Sequence, residues 1–155
     1  MRLFSTPSRL YRVLALAEMI TWTLLLAGMV LKYVVQATDV LVRIGGGLHG
    51  FVFLSYAVVT VLVAVDQRWK PKDLLLGLGS ALIPYLTVPF ERWALRRGLL
   101  SDTWQLRGER GRTAPQRVVS LALRHPLPAA LIAIVGVAVV FSILLSLGPP
   151  TEWFA

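Results

Sequence analysis

One uncharged stretch decides the fold of this chain: residues 44–65 have the sequence IGGGLHGFVFLSYAVVTVLVAV, 22 residues without a charged side chain. At about 1.5 Å of rise per residue, a helix of this length covers roughly 33 Å, which is enough to cross a hydrocarbon core of about 30 Å. Its glycines leave backbone uncovered, so that a neighbouring helix can approach closely. The stretch therefore predicts a membrane-spanning helix that packs against other helices.

The composition of the whole chain agrees with a membrane protein. Of its 155 residues, 56% are hydrophobic and 15% are charged, whereas about a quarter of the residues in a soluble domain are charged. The lack of cysteine in the sequence excludes disulfides, thiolate metal sites and thiol nucleophiles. The charged residues, which give a net charge of +8, are grouped in short stretches between the apolar runs. We therefore expect anionic lipid headgroups, and not nucleic acid, as the partner of the basic residues.

Four apolar segments indicate the architecture: residues 10–31, 44–65, 74–90 and 127–147. Helices are the simplest structure for all four, because lipid requires internally satisfied backbone hydrogen bonds and the alternation of a β-barrel is absent from the sequence. We therefore expect an all-α membrane protein, a small bundle of four hydrophobic helices with a basic amphipathic surface segment.

The third segment allows two arrangements, since it is short and contains Pro84 and Pro89. If it spans the membrane, the sixteen Arg and Lys residues divide six against ten between the two sides. If it is a re-entrant hairpin, the basic loops and the N-terminal arginines share one side, and the division is fourteen against two. The positive-inside rule favours the hairpin, whereas length favours four spanning helices, which we take as the expectation.

Three parts make up the expected single structural unit: a three-helix membrane core at residues 1–97, a basic interfacial loop at 98–126 and a C-terminal transmembrane helix at 127–155. The basic segment interleaves aromatic and apolar residues with arginines, as is typical of a stretch that lies on a membrane surface. The residues expected at the interface are Lys32, Tyr33, Arg43, Trp93 and Trp104.

Glu18 is the most informative single residue, because an acid inside an apolar helix costs roughly 2–3 kcal/mol at mid-span. If the first two helices are antiparallel, Glu18 is expected at the depth of Ser55 and Tyr56, whose hydroxyls can donate to it. Two interpretations are open, a polar contact between helices and a proton or cation site. These three residues and His49 form the predicted intramembrane polar site.

His49 lies among the glycines of the second helix, where a close backbone approach can place its imidazole against a neighbouring helix. The predicted packing face consists of Gly45, Gly46, Gly47 and Gly50. A hydrogen-bonded packing histidine fits this setting better than a haem or metal ligand, because His125 is distant and no run of carboxylates completes a site. We expect no metal, no cofactor and no catalytic residue.

A resemblance to a known family rests on short motifs in a fixed order: LALAE at residues 14–18, LKY at 31–33, VRIG at 42–45, LHG at 48–50, IP at 83–84 and PF at 89–90. Over roughly residues 9–97 the chain resembles the bacterial integral-membrane family named domain of unknown function 3817. The resemblance implies a multi-pass protein of the bacterial cytoplasmic membrane and carries no activity. The chain departs from the pattern at Met19, where a glycine often follows the acid. About 58 residues after Arg97, which include the whole fourth apolar segment, lie beyond the usual end of the family.

Two functions from different classes fit these observations. The first is a non-catalytic accessory or scaffold subunit that packs against a larger membrane protein. The second is a small oligomeric carrier in which Glu18 and His49 handle protons or a small solute. An enzyme is not expected, because the sequence lacks a phosphate loop, a nucleophile elbow and a metal-ligand motif.

Overall fold

The computed structural model describes residues 6–109 and 111–147, and its regular elements are helices, with no strand among the described residues. Six α-helices and two short helical turns follow one another along the chain. The helices are α1 (Pro7–Met29), α2 (Val40–Asp66), α3 (Pro71–Ser80), α4 (Thr87–Arg96), α5 (Ala114–Arg124) and α6 (Pro126–Ser146). A π-helical turn, Val30–Val34, extends α1, and a 3-10 turn, Gln105–Arg107, precedes α5.

Three of these helices are long and apolar enough to cross a membrane: Pro7–Val34 with 28 residues, Val40–Asp66 with 27 and Pro126–Ser146 with 21. They correspond to the first, second and fourth apolar segments of the sequence. The all-α membrane fold is therefore confirmed. The predicted fourth spanning helix is not confirmed, since the described residues contain only these three.

The third apolar segment is divided between α3 and α4, each of which has 10 residues. A helix of that length covers about 15 Å, half of a hydrocarbon core. The break between them contains Pro84, which removes a backbone donor, and Tyr85, whose φ of 67° reverses the chain direction. The expectation of one continuous helix over residues 74–90 is therefore wrong.

Instead, α3 and α4 form a hairpin whose two ends lie at the same end of the bundle. Trp69 donates to the carbonyl of Leu99 at 2.6 Å, which joins the entry of the hairpin to its exit. The tip reaches the middle of α1, where Trp22 Nε1 donates to the carbonyl of Ala81 at 3.4 Å. This geometry corresponds to the re-entrant alternative.

The hairpin brings most of the positive charge to one end of the bundle, which we call the basic end. It comprises the first turns of α1, the α2–α3 loop and the chain from the end of α4 to α5. Twelve described Arg and Lys residues lie there, whereas Lys32 and Arg43 lie at the opposite end. The excess of Arg and Lys at one end agrees with the positive-inside rule, which favours the hairpin over a third spanning helix.

Close glycine contacts set the register between α1 and α2. A Cβ on Gly28 would lie 2.5 Å from the backbone N of Val42, and one on Gly45 would lie 3.0 Å from the backbone carbonyl carbon of Leu24. Real Cβ atoms essentially never lie as close to backbone as at Gly28, and a Cβ on Gly45 would push the backbone of α1 away, so glycine at both positions lets the two helices approach this far. These contacts decide which side chains meet further along the two helices.

The last helix, α6, packs much more loosely than the others. Among its 21 residues only Val137 is buried. Its contact with α2 is made by Phe141, whose ring meets Gly50 and lies edge-on to Phe51 with centroids 6.4 Å apart. Nearly the whole circumference of α6 is therefore available to lipid or to another protein.

The basic loop between α4 and α5 is anchored by Asp66, the last residue of α2. Its buried carboxylate accepts from the backbone N–H groups of Leu106 at 2.9 Å and Gln105 at 3.3 Å, at the start of the 3-10 turn. Trp104, which was expected at the lipid interface, is instead buried in the core beside this anchor. The hydrogen bonds to Asp66 hold the 3-10 turn against the end of α2. Trp104 directly precedes that turn and is therefore buried with it.

Candidate intramembrane polar site

Two layers of polar side chains face each other between α1 and α2. Tyr11 and Glu18 are seven residues apart on α1, and His49 and Tyr56 are seven apart on α2. Seven residues are about two helical turns, so each pair lies on one face of its helix. The antiparallel packing then brings Tyr11 to Tyr56 in one layer and Glu18 to His49 in the other.

Glu18 and His49 form the inner layer of the site. The side chain of Glu18 is fully buried, and its Oε2 lies 3.2 Å from Nδ1 of His49, whose side chain is 12% exposed. Neither carboxylate oxygen of Glu18 accepts a hydrogen bond of acceptable geometry from a described residue. A buried carboxyl group without such a bond is destabilising, and this one is left with a single polar neighbour at close range.

Thr21 lies beside Nδ1 of His49, the ring nitrogen that faces Glu18. Its hydroxyl donates to the backbone carbonyl of Glu18 at 3.1 Å, so its oxygen faces His49 Nδ1, 3.3 Å away, as an acceptor. The tautomer of His49 with the proton on Nδ1 fits this arrangement, because the Thr21 oxygen can accept from that nitrogen.

Aromatic rings hold the imidazole of His49 in place. The ring of Trp22 lies 4.3 Å from it between centroids, at an interplanar angle of 49°, and Phe53 lies 6.2 Å away. Trp22 in turn donates to the tip of the α3–α4 hairpin. The histidine is therefore linked through one aromatic neighbour to the re-entrant element.

The outer layer is a directed chain of hydroxyls. Thr60 donates to Tyr11 at 3.3 Å, Tyr11 and Tyr56 share a bond of 2.6 Å, and Tyr56 lies 3.0 Å from Ser80. Because Ser80 donates to the carbonyl of Gly77 at 2.7 Å, its oxygen accepts from Tyr56, and Tyr56 accepts from Tyr11. Tyr11, Tyr56 and Ser80 thus each accept one hydrogen bond and donate one, and the chain ties α3 to α1 and α2.

The expected partners of Glu18 are not the ones found. Ser55 donates to the carbonyl of Phe51 on its own helix at 2.9 Å, and Tyr56 belongs to the outer layer. The glycine contacts that set the register of α1 and α2 place His49 opposite Glu18, so the expected register was wrong by one to two turns. The two sequence-predicted residues that the structure brings together are Glu18 and His49.

The four predicted packing glycines have different surroundings. Gly45 packs against the backbone of α1, and Gly50 meets the ring of Phe141 on α6, where an added Cβ would lie 2.8 Å from Cε2. Gly46 packs less tightly, since a Cβ on it would lie 3.7 Å from Cδ1 of Leu25. The Cβ position of Gly47 has no described atom within 4 Å. Only two of the four therefore make close contacts between helices.

The predicted interfacial residues lie at both ends of the bundle. Lys32 stands over the ring of Tyr33 at 5.2 Å, and both are exposed. Arg43 is exposed, 3.9 Å from Asp39. Trp93 is half-buried near the basic end, and the guanidinium of Arg97 lies 5.2 Å from its ring.

A partly buried ion pair joins α1 to α4, and it was not predicted from the sequence. Arg12 Nε donates to Oε1 of Glu91 at 2.9 Å and joins α1 to α4, with the arginine 59% and the glutamate 3% exposed. Thr87 lies one turn earlier on α4 and donates to the carbonyl of Ala15 at 3.0 Å. Arg12 and Glu91 are 79 residues apart in the chain, so no local pattern in the sequence indicates their pairing.

The chemistry open to the inner layer is limited to one carboxyl group, one imidazole and one hydroxyl. Such a set can exchange a proton or hold a small polar group between two helices. Within the described ranges, no group of three or more His, Cys, Asp or Glu side chains is placed to hold a metal ion.

Comparisons with known proteins place the chain in a family. A curated protein of Streptomyces coelicolor, named "Putative membrane protein SCO5905", is 44% identical over 97 residues, which are 60% of this chain and 12% of that protein. The chain therefore spans only a small part of the length of this relative. No solved structure was found to match it. The family described as "Domain of unknown function (DUF3817)" matches residues 8–96, and because this is more than half of the chain, the protein belongs to that uncharacterised family.

Proposed function

We propose that the protein is a non-enzymatic accessory or scaffold subunit of the bacterial cytoplasmic membrane, in which α6 packs against a larger membrane protein. The observation that carries the proposal is the exposure of α6, which buries one residue, Val137, in this chain. In contrast, α1, α2 and the α3–α4 hairpin are joined by the hydroxyl chain, the Arg12–Glu91 ion pair and close glycine contacts. A rigid core with one loosely attached helix suits a protein that docks by that helix.

Gly136 marks the point on α6 where a partner helix can approach most closely. Nothing in the structure lies within 4 Å of its Cβ position, so its backbone is uncovered. Association of helices in lipid relies on close packing at such small residues, since lipid removes the hydrophobic driving force.

The test is purification of the full chain from its native membrane in mild detergent, followed by mass spectrometry. We expect an unlike membrane protein in fixed stoichiometry, and we expect Gly136→Leu to lower its occupancy by more than half. Gly47→Leu is the matched control, because the Cβ position of Gly47 is also open but lies on α2. A homo-oligomer without an unlike partner, or equal loss in both variants, would refute the subunit proposal.

A second candidate function is a small oligomeric proton or solute carrier, and it is favoured by the buried, unsatisfied carboxyl group of Glu18 beside His49. Its test is proton flux into vesicles that contain the purified chain and a trapped pH-sensitive dye. The carrier requires flux above that of empty vesicles and its loss in Glu18→Gln. Glu91→Gln, which alters a buried acid paired with Arg12 away from this site, is the control. Absence of flux in the unsubstituted protein would eliminate the carrier.

A further inference from the structure

We propose that a groove between α5 and the preceding loop binds the phosphate group of an anionic phospholipid, held by Arg117 and Arg124. The groove is open, has a volume of about 570 Å³, and is lined by Gly111, Arg117, Ser120, Leu121 and Arg124. This inference concerns the basic end of the bundle and does not depend on the proposed subunit function.

The two arginines share one face of α5. They are seven residues apart, which is two turns or about 10 Å along the helix, and Ser120 and Leu121 lie between them on the same side. Arginine side chains are long enough to converge on one group from that separation. The planar guanidinium forms paired hydrogen bonds with phosphate oxygens, so two of them provide a strong phosphate site.

The electrostatic environment of the groove is positive. Neither Arg117 nor Arg124 forms an ion pair with a described acidic residue, and both are exposed. The nearest acid along the chain, Glu109, is already paired with Arg68 at 2.8 Å. The groove thus contains two cations that have no counter-ion among the described side chains.

The shape of the groove is fixed by contacts of the preceding loop. The hydroxyl of Ser120 donates to the backbone carbonyl of Glu109 at 3.0 Å, which holds the loop against α5. Gly111 lies so near α5 that a Cβ there would collide with the backbone of Gln116 and Arg117. The loop that forms the wall of the groove opposite the arginines is therefore held in place by its contacts with α5.

Apolar neighbours favour a lipid over a soluble phosphate. Leu121 is 63% exposed inside the groove, and Val118, one residue after Arg117, is 68% exposed. The lipid-facing helix α6 begins two residues after α5 ends, and its Leu127 is 56% exposed. A phosphate at the arginines would place the attached acyl chains along these side chains, as occurs at the membrane interface.

The test is a lipid titration of the purified full-length chain in detergent, with bound lipid counted by native mass spectrometry. We expect one phosphatidylglycerol molecule to bind more tightly than phosphatidylcholine, and Arg117→Gln or Arg124→Gln to weaken that binding about tenfold. Arg96→Gln is the matched control, because Arg96 is an exposed arginine of the basic end outside the groove, and we expect its effect to be less than about twofold. Equal weakening by all three variants would overturn the site.

Three further measurements complete the test. Gly111→Ala changes the groove without changing charge and should weaken phosphatidylglycerol binding while the affinity for phosphatidylcholine is unchanged; an unaltered affinity for both would overturn the groove geometry. If glycerol 3-phosphate competes at the same concentration as the lipid, the site recognises a soluble phosphate and the lipid assignment is wrong. Arg117→Lys and Arg124→Lys keep the charge and the fold, and should retain binding better than the Gln variants.

Discussion

Replacement of His49 by phenylalanine is the sharpest test of the inner polar layer. Phenylalanine keeps an aromatic ring against Trp22 and removes Nδ1, the polar atom 3.2 Å from the fully buried carboxyl group of Glu18. The contact between Nδ1 and Oε2 lacks the geometry of a full hydrogen bond, but Nδ1 is the close polar neighbour of this carboxyl group. Leaving a buried polar group without a partner costs about 1–3 kcal/mol, whereas hydrogen bonds measured inside membranes average about 0.6 and reach about 1.7 kcal/mol. We therefore expect His49→Phe to lower the free energy of unfolding by about 1–2 kcal/mol.

The cause of that loss is isolated by a double-mutant cycle with Glu18→Leu. Replacement of both partners by apolar side chains removes the unsatisfied group as well as its neighbour, and such replacements are close to neutral. The effect of His49→Phe should consequently fall below about 0.5 kcal/mol once Glu18 is leucine. Equilibrium unfolding by dodecyl sulfate in mixed micelles, followed by circular dichroism, measures all four proteins. An equally large loss in both backgrounds would show that His49 acts by packing, and would refute this reasoning.

Three further predictions concern the rest of the bundle. Tyr56→Phe should lower the free energy of unfolding by about 1–2 kcal/mol, because its hydroxyl both accepts and donates within the buried chain, and the same unfolding assay measures it. Single cysteines at Arg68 and Arg107 should react with an impermeant reagent from the same side of sealed vesicles, because the hairpin returns the chain to one end. Gly28→Ala should lower the midpoint of unfolding, with a loss of about 1–3 kcal/mol, since the new Cβ would meet the backbone of α2.

Each of these predictions has a matched control. Tyr85→Phe removes an exposed hydroxyl whose one hydrogen bond among the described residues is with Thr23, at 3.4 Å, and a loss as large as that of Tyr56→Phe would contradict the role of the hydroxyl chain. A cysteine at Arg43 should be labelled from the opposite side, and labelling of all three positions from one side would be incompatible with the fold. Gly47→Ala has open space and should be neutral or stabilising.

The helices could be predicted from the sequence because hydrophobic length and proline placement act locally. The fourth apolar segment begins at a proline and ends where the apolar run ends, as expected for α6. The short helix before it also has a local cause, the capping box of Thr113 and Gln116 with Pro115 in the first turn. The division of residues 74–90 into two helices was less accessible, because prolines are common in membrane helices and do not by themselves dictate a reversal.

The partner of Glu18 could not be predicted from helix ends alone. The limits of the apolar runs give only the approximate depth of a residue in the membrane. The register of α1 against α2 is set by close backbone contacts at Gly28 and Gly45. Asp66 shows a similar difference. An acid at the end of an apolar run is usually solvated, but this one is fully buried and organises a loop 39 and 40 residues further along the chain. Both outcomes depend on contacts between segments that are distant in sequence.

The hairpin also makes the bundle unequal in width along the membrane normal. In the half towards the basic end, α3 and α4 stand beside the three long helices, whereas beyond the hairpin tip at Ala81 only the three long helices continue. With the long helices across a bilayer, we expect the protein to displace more lipid from the leaflet at the basic end than from the other. A membrane that contains many copies would then compensate with fewer lipids in that leaflet.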